Sequence, residues 1–145
     1  MRRPFLGLAI LAVMTVGASA SPPSRQQSCL HDANETPDQA VRRKEALGAA
    51  RTVNNIEANQ PGSASRQYFA HEQLASAPFV QKNAANAQIA VMNFAPGAEI
   101  LPGWKLTLDV TRDGYWFMIK DVSDPCGFTW ISNQVGLIYK AEHLR

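Results

Sequence analysis

"WKLTLDVTRDGYWFMIK", Trp104–Lys120, is the stretch whose reading decides the fold. Trp104, Leu106, Leu108 and Val110 alternate with Lys105, Thr107, Asp109 and Thr111. Side chains of a strand point to opposite faces in turn, so this alternation predicts a half-buried strand. Asp113-Gly114 then reads as a two-residue hairpin turn. Such a turn sets Arg112 opposite Tyr115, Val110 opposite Phe117 and Leu108 opposite Ile119. Opposed residues share a face, so Leu108, Val110, Phe117 and Ile119 point to the core. Trp116, Met118 and Lys120 then share the outer face with Thr107 and Asp109, and Asp109 and Lys120 become diagonal neighbours. Trp116 and Met118 are apolar residues on a face expected to be polar. They are covered by another segment or form an exposed patch.

Two further strands follow. "GFTWIS" (Gly127–Ser132) places Phe128 and Trp130 on one side, and "GLIYK" (Gly136–Lys140) closes the meander after turn residues at Asn133–Gly136. The register across Val122–Gly127 is open, so Trp130 faces the core or joins Trp116 and Met118 outside. The candidate interaction patch is therefore Trp116, Met118 and Trp130.

Upstream, "TPDQAVRRKEALGAARTVNNIEANQPG" has both helix ends marked. Thr36 suits the N-cap, Pro37 the first helical position, and Gln39 completes a capping box. Asp38 favours the positive end of the helix dipole, and Pro61-Gly62 stops the helix. Ala46, Ala49, Ala50, Val53 and Ile56 form one stripe of small apolar residues. Glu57 lies near that stripe and reads as a partly exposed side chain; if buried, it needs hydrogen-bond donors or a cation. Between helix and hairpin, a short helix is expected around His71–Ala75. "QKNAANAQIAVMNFAPGAEILPG" reads as an irregular connection, with Ile89–Met92 a short strand or helical turn. The fold class is α+β: one long N-terminal helix packed on a C-terminal antiparallel meander of about four strands.

The N-terminus reads as a secretory signal peptide over residues 1–20. Arg2 and Arg3 precede the apolar Phe5–Val16, and Ala18-Ser19-Ala20 fits the small-residue cleavage rule. The apolar run is short of the ~20 residues that span a bilayer, and Pro22-Pro23 follows. The mature chain is then not an integral membrane protein. Residues 21–35 read as a flexible lead pinned at Cys29, and 36–145 as a single domain. Periplasmic or secreted localisation is expected. Cleavage leaves twelve basic and twelve acidic residues. This balance speaks against a nucleic-acid partner, which calls for a basic patch.

Cys29 and Cys126 are the two cysteines. In an exported chain such a pair suggests one internal disulfide. Two free thiols or an intermolecular bridge are the alternatives. Closing most of the mature chain stabilises it by roughly 4–5 kcal/mol in the chain-entropy model. Neither cysteine has a Cys or His at zinc-binding spacing, and no cofactor or metal is expected.

Three segments carry a family resemblance. "ARTVNNIEAN" (Ala50–Asn59) resembles the helical segment after the hydrophobic start of bacterial type IV pilins and pseudopilins. "YFAHEQLA" (Tyr68–Ala75) resembles the short-helix segment that follows it. "FTWISNQVGLIYKA" (Phe128–Ala141) resembles the closing strand–turn–strand. With their spacing they cover roughly residues 37–141. Pilins also carry a long hydrophobic assembly helix with a Glu near its start, which this sequence lacks. The resemblance implies a pilin-like globular head without the assembly helix. Its function would be that of an exported, non-catalytic interaction or structural module, with an unidentified protein partner and a link to envelope, pilus or secretion machinery.

The competing reading is a small secreted hydrolase whose site the fold assembles around His31, His71 or His143. Gly-x-Ser-x-Gly, His-Glu-x-x-His and P-loop motifs are missing from the sequence. No catalytic residue is assigned on sequence grounds.

Overall fold

The computed structural model describes residues 28–31, 33, 35–59 and 68–142. The signal-peptide reading of residues 1–20, much of the lead, Pro61-Gly62 and His143 fall outside the described residues.

The architecture is α+β. Helix α1 (Pro37–Ala58) is followed by a 3₁₀ turn (His71–Ser76) and short helices α2 (Pro78–Lys82) and α3 (Ala87–Ala90). Then come strands β1 (Glu99–Leu101), β2 (Trp104–Val110), β3 (Tyr115–Asp121), β4 (Thr129–Asn133) and β5 (Tyr139–Ala141). The strands form one antiparallel meander in the order β1-β2-β3-β4-β5. The sheet has five strands rather than four. The extra one, β1, sits inside the segment read as irregular; three residues ahead of Pro102-Gly103 are too few to show alternation. The helix starts behind residues 28–36 rather than at the chain's N-terminus. Ile89 belongs to the helical turn α3.

Helix α1 forms where its caps place it. Thr36 accepts from the Gln39 amide, Gln39 reaches back to the Thr36 amide, and Pro37 opens the first turn. Its chain leaves at Asn59, whose amide donates to Asn55 O. Ala46, Ala49, Ala50, Val53 and Ile56 are all fully buried against the sheet, whose inner face presents Trp104, Leu106, Phe117, Ile119, Phe128 and Trp130.

The hairpin differs from expectation in register. Val110 pairs with Tyr115, Leu108 with Phe117 and Leu106 with Ile119. The Thr111 amide donates to Gly114 O at 2.8 Å, so Arg112-Asp113, not Asp113-Gly114, forms the turn. No non-glycine residue among those described has positive φ, and Gly114 does not either. Gly114 serves instead for close approach: a Cβ there would meet the Gln134 side chain at 2.9 Å. The slip is by two residues. Because the strand period is two, every side chain keeps its expected face while every pairing changes. Asp109 stands opposite Trp116, and Lys120 opposite Lys105, so the expected Asp109–Lys120 neighbourhood does not form.

A buried polar knot ties α1 to the sheet. Tyr115 Oη donates to Asn54 Oδ1 at 2.9 Å. Asn54 Nδ2 donates to Ser132 Oγ at 3.0 Å and to Gly136 O at 3.1 Å. The Ser132 hydroxyl donates to Leu137 O at 2.8 Å. Gly136 takes φ +81°, which lets the β4–β5 turn fold its carbonyl under the helix. Burial, and then the charges of Glu57 and Tyr68, push the Tyr115 pKa up to about 12. The phenol therefore stays a donor at neutral pH.

Asn54→Ala leaves the Tyr115 hydroxyl and the Gly136 carbonyl buried without their partner. We expect a loss of about 2–3 kcal/mol, against about 1 kcal/mol for Thr36→Ala at the helix cap. Urea denaturation with unchanged m-value measures both. A smaller loss at Asn54 than at Thr36 would show that the knot contributes little.

Candidate functional site

Two places gather the sequence-selected residues: the outer face of the sheet, and the docked lead.

The outer face is built in cross-strand rows. Thr107, Met118, Ile131 and Tyr139 are successive partners across β2, β3, β4 and β5. Asp109, Trp116 and Asn133 form the row on one side, and Glu99, Lys105, Lys120, Thr129 and Ala141 the row on the other. Trp116 is 40% exposed, Ile131 36% and Tyr139 57%, with Met118 partly buried between them. Val135 and Leu137, between β4 and β5, are exposed as well. Trp116 Nε1 donates to Asp109 Oδ2 at 2.9 Å, which fixes the indole along the face. An apolar row flanked by charged or polar rows has the make-up of a protein-docking surface.

Of the expected patch, Trp116 and Met118 are on this face and Trp130 is not. Trp130 pairs with Ile119, an inward residue, and is buried under α1. Its Nε1 donates to Arg43 O at 3.3 Å, and its ring meets Phe128 edge-on at 5.2 Å. Ile131 and Tyr139 take the outward places. They alternate with Trp130 and Lys140 along their strands, so a fixed register across Val122–Gly127 was the one missing signal.

At the other site, Cys29 and Cys126 are joined as a disulfide, and Cys126 is buried. The Leu30 amide donates to Asp124 Oδ1 at 2.9 Å. His31 is buried between two carboxylates: Nδ1 lies 2.6 Å from Glu35 Oε1 and Nε2 2.8 Å from Asp121 Oδ2. Its ring packs on Phe128 at 4.7 Å and Trp104 at 5.5 Å. Arg43 binds both oxygens of Glu35, and this pair more than any other influence holds the Glu35 carboxyl below its ordinary range. Burial opposes the charge on Asp121, but the Ser123 hydroxyl and amide, His31 and Arg42 together outweigh it and lower its pKa. Both ring nitrogens of His31 are thus engaged by carboxylate oxygens.

A general base needs a lone pair aimed at its substrate, and both His31 nitrogens are engaged. Ser123 Oγ donates to Asp121 Oδ1 at 2.6 Å, not to a histidine nitrogen. The open cleft beside His31, about 470 Å³, is lined by Ala33, Glu35, Arg43, Lys140 and Glu142 and does not include His71. Lys140 is itself ion-paired with Glu142. His71 stands in the 3₁₀ turn, where burial lowers its pKa against the opposing charge of Glu72. Glu57, read as partly exposed, is 1% exposed, and its Oε2 accepts from the Phe69 amide at 3.0 Å. It anchors the chain entering the 3₁₀ turn. The sequence offered Asp121 no special mark: it lies 90 positions from His31, and the fold alone joins them.

Comparison with known proteins finds no family model, no curated relative and no solved structure that matches this chain. Among the described residues, no helix is long and apolar enough to cross a membrane, and no group of His, Cys, Asp or Glu is arranged to hold a metal ion.

Glu35 and Asp121 both titrate lower in the folded chain. Their stabilisation is therefore present above the ordinary carboxylate range and lost as pH falls through the lowered folded values. Asp121→Asn removes the buried carboxylate that faces His31 and accepts from Ser123. We expect it to cost about 3–5 kcal/mol at neutral pH. Urea midpoints of variant and wild type should converge as pH falls below the ordinary carboxylate range. Curves that stay parallel through that fall would show that Asp121 does not carry the acid dependence.

Proposed function

We propose that this chain is an exported, non-catalytic protein-interaction or structural module with a pilin-like head, acting in the periplasm or outside the cell. The observation that carries the reading is the row Met118–Ile131–Tyr139 with Trp116 beside it, exposed on the outer sheet face. A sheet face left open to water is normally polar. Here it holds large apolar side chains and an indole oriented by Asp109, the residue types enriched at interface cores. The buried disulfide fits an oxidising compartment. The order of long helix and antiparallel meander supports the pilin-like resemblance, and the resemblance suggests envelope, pilus or secretion machinery as the setting. The hydrolase reading is the weaker one, because both nitrogens of buried His31 are engaged by carboxylates.

The test is site-specific photo-crosslinking in the exporting cell. A photoreactive residue in place of Trp116 should give a discrete protein adduct. The same residue in place of Glu45, exposed on α1, should not. Ile131→Ser with Tyr139→Ser should abolish the adduct while leaving the far-UV spectrum unchanged. Equal labelling from positions 116 and 45 would remove the docking reading.

A further inference from the structure

The rows of the outer face are self-complementary, and we infer that its occupant is a second copy of this chain. This rests on reading that face as a docking surface. Two identical faces joined by a two-fold axis must each complement themselves. Let the axis run along the row Thr107–Met118–Ile131–Tyr139, midway between two facing sheets. Each strand then lies over its own counterpart, running the opposite way. The apolar row meets itself on the axis. The row Asp109–Trp116–Asn133 of one copy faces the row Lys105–Lys120–Thr129 of the other. Asp109 thus meets Lys105 of the second copy, and the Trp116 ring meets Lys120. The first contact is an ion pair and the second a cation on an indole face. Stacked sheets lie ~10 Å apart, a gap that Lys and Asp side chains bridge.

The charges select this axis. An axis along β3 instead would stack Lys120 on Lys120, with like charges facing. Within one copy Lys105 and Lys120 are already direct cross-strand partners on one face. Like charges so placed are destabilising; Glu99, the partner of Lys105 on β1, offsets one of them within the copy, and Trp116 of the second copy would cover Lys120. Four short strands offer a small face, below the ~1,200–2,000 Å² total of standard interfaces. The dimer is therefore weak and populated at high local concentration.

Sedimentation equilibrium of the exported, oxidised chain from micromolar to millimolar concentration tests this. The mean mass should rise from monomer toward dimer. Lys105→Asp sets two carboxylates face to face and should weaken association at least tenfold; adding Asp109→Lys should restore it. Met118→Cys, on the axis, should crosslink to itself with a short bismaleimide, whereas Lys105→Cys should crosslink only to Asp109→Cys in mixed samples. A monomer at every concentration, or a Lys105→Asp variant that associates unchanged, overturns the inference. If the position-116 photoadduct then has the mass of a foreign protein, the docking reading stands and self-association falls. If there is no photoadduct at all, both fall.

Discussion

The close seating of α1 on the sheet is the interaction on which the remaining structure depends. Ala46, Ala49 and Ala50 present no more than a methyl group, so the helix lies low over a layer of large rings and branched chains. Low seating buries polar atoms on both sides of the interface, and buried polar atoms must be paired. The helix meets that requirement along its length. Near its start the Arg43 carbonyl accepts from the Trp130 indole, midway Asn54 joins Tyr115, Ser132 and the Gly136 carbonyl, and at its end Glu57 takes the Phe69 amide. These bonds fix where along the sheet the helix sits, which the apolar stripe alone leaves free to slide. Trp104 is the exception: its Nε1 is buried with no acceptor among the described residues. A donor left so costs about 1–3 kcal/mol, which the packing of its ring against Phe128 and His31 must exceed.

The lead is held at one end of this sandwich by bonds of different kinds that converge on a single loop. Asp124 Oδ1 accepts the amides of Leu30 and Cys126, and Oδ2 accepts that of Phe128. The same carboxylate therefore shapes the loop that presents Cys126 and docks the residue next to Cys29. His31 adds a contact from its Nε2 to Asp121 Oδ2 at the end of β3. With the disulfide spanning 97 positions, residues remote in sequence are brought together before and after the helix. The non-covalent contacts hold Cys29 near its partner whichever way the sulfurs stand, so covalent and polar pins reinforce one geometry.

What the sequence made legible follows the range of the forces involved. The capping box of α1 and its buried stripe are local, and Thr36, Gln39 and the five apolar positions stand as read. The chain fold of β2 to β5 was legible from alternation. The turn was misplaced because Asp113-Gly114 resembles a left-handed hairpin pair, whereas Gly114 is needed for the room it gives Gln134. β1 was missed because a three-residue edge strand has no pattern of its own. Burial of Glu57, the inward turn of Trp130 and the His31–Asp121 bridge depend on partners 12, 11 and 90 positions away. None of these residues carries a local sign of its partner. Of the candidate site, Trp116 and Met118 were readable from the hairpin, and Ile131 and Tyr139 became so only with the β3–β4 register.

That hairpin shows why a face is easier to read than a pairing. A slip of two residues conserves inward and outward sets, so the hydrophobic effect barely distinguishes the two registers. Specific pairs have to decide, and here they decide the character of the outer surface. In the expected register Asp109 lies diagonal to Lys120, and the two charges offset each other locally. In the observed register Asp109 is turned to the Trp116 indole, and Lys105 faces Lys120. Asp109 is thereby set on one side of the apolar row, and the Lys105–Lys120 pair on the other, with Glu99 beside Lys105 on β1. Lys105 and Lys120 sit side by side as like charges, and Glu99 offsets one of them. The register that the turn sets thus decides which charges flank the exposed apolar row.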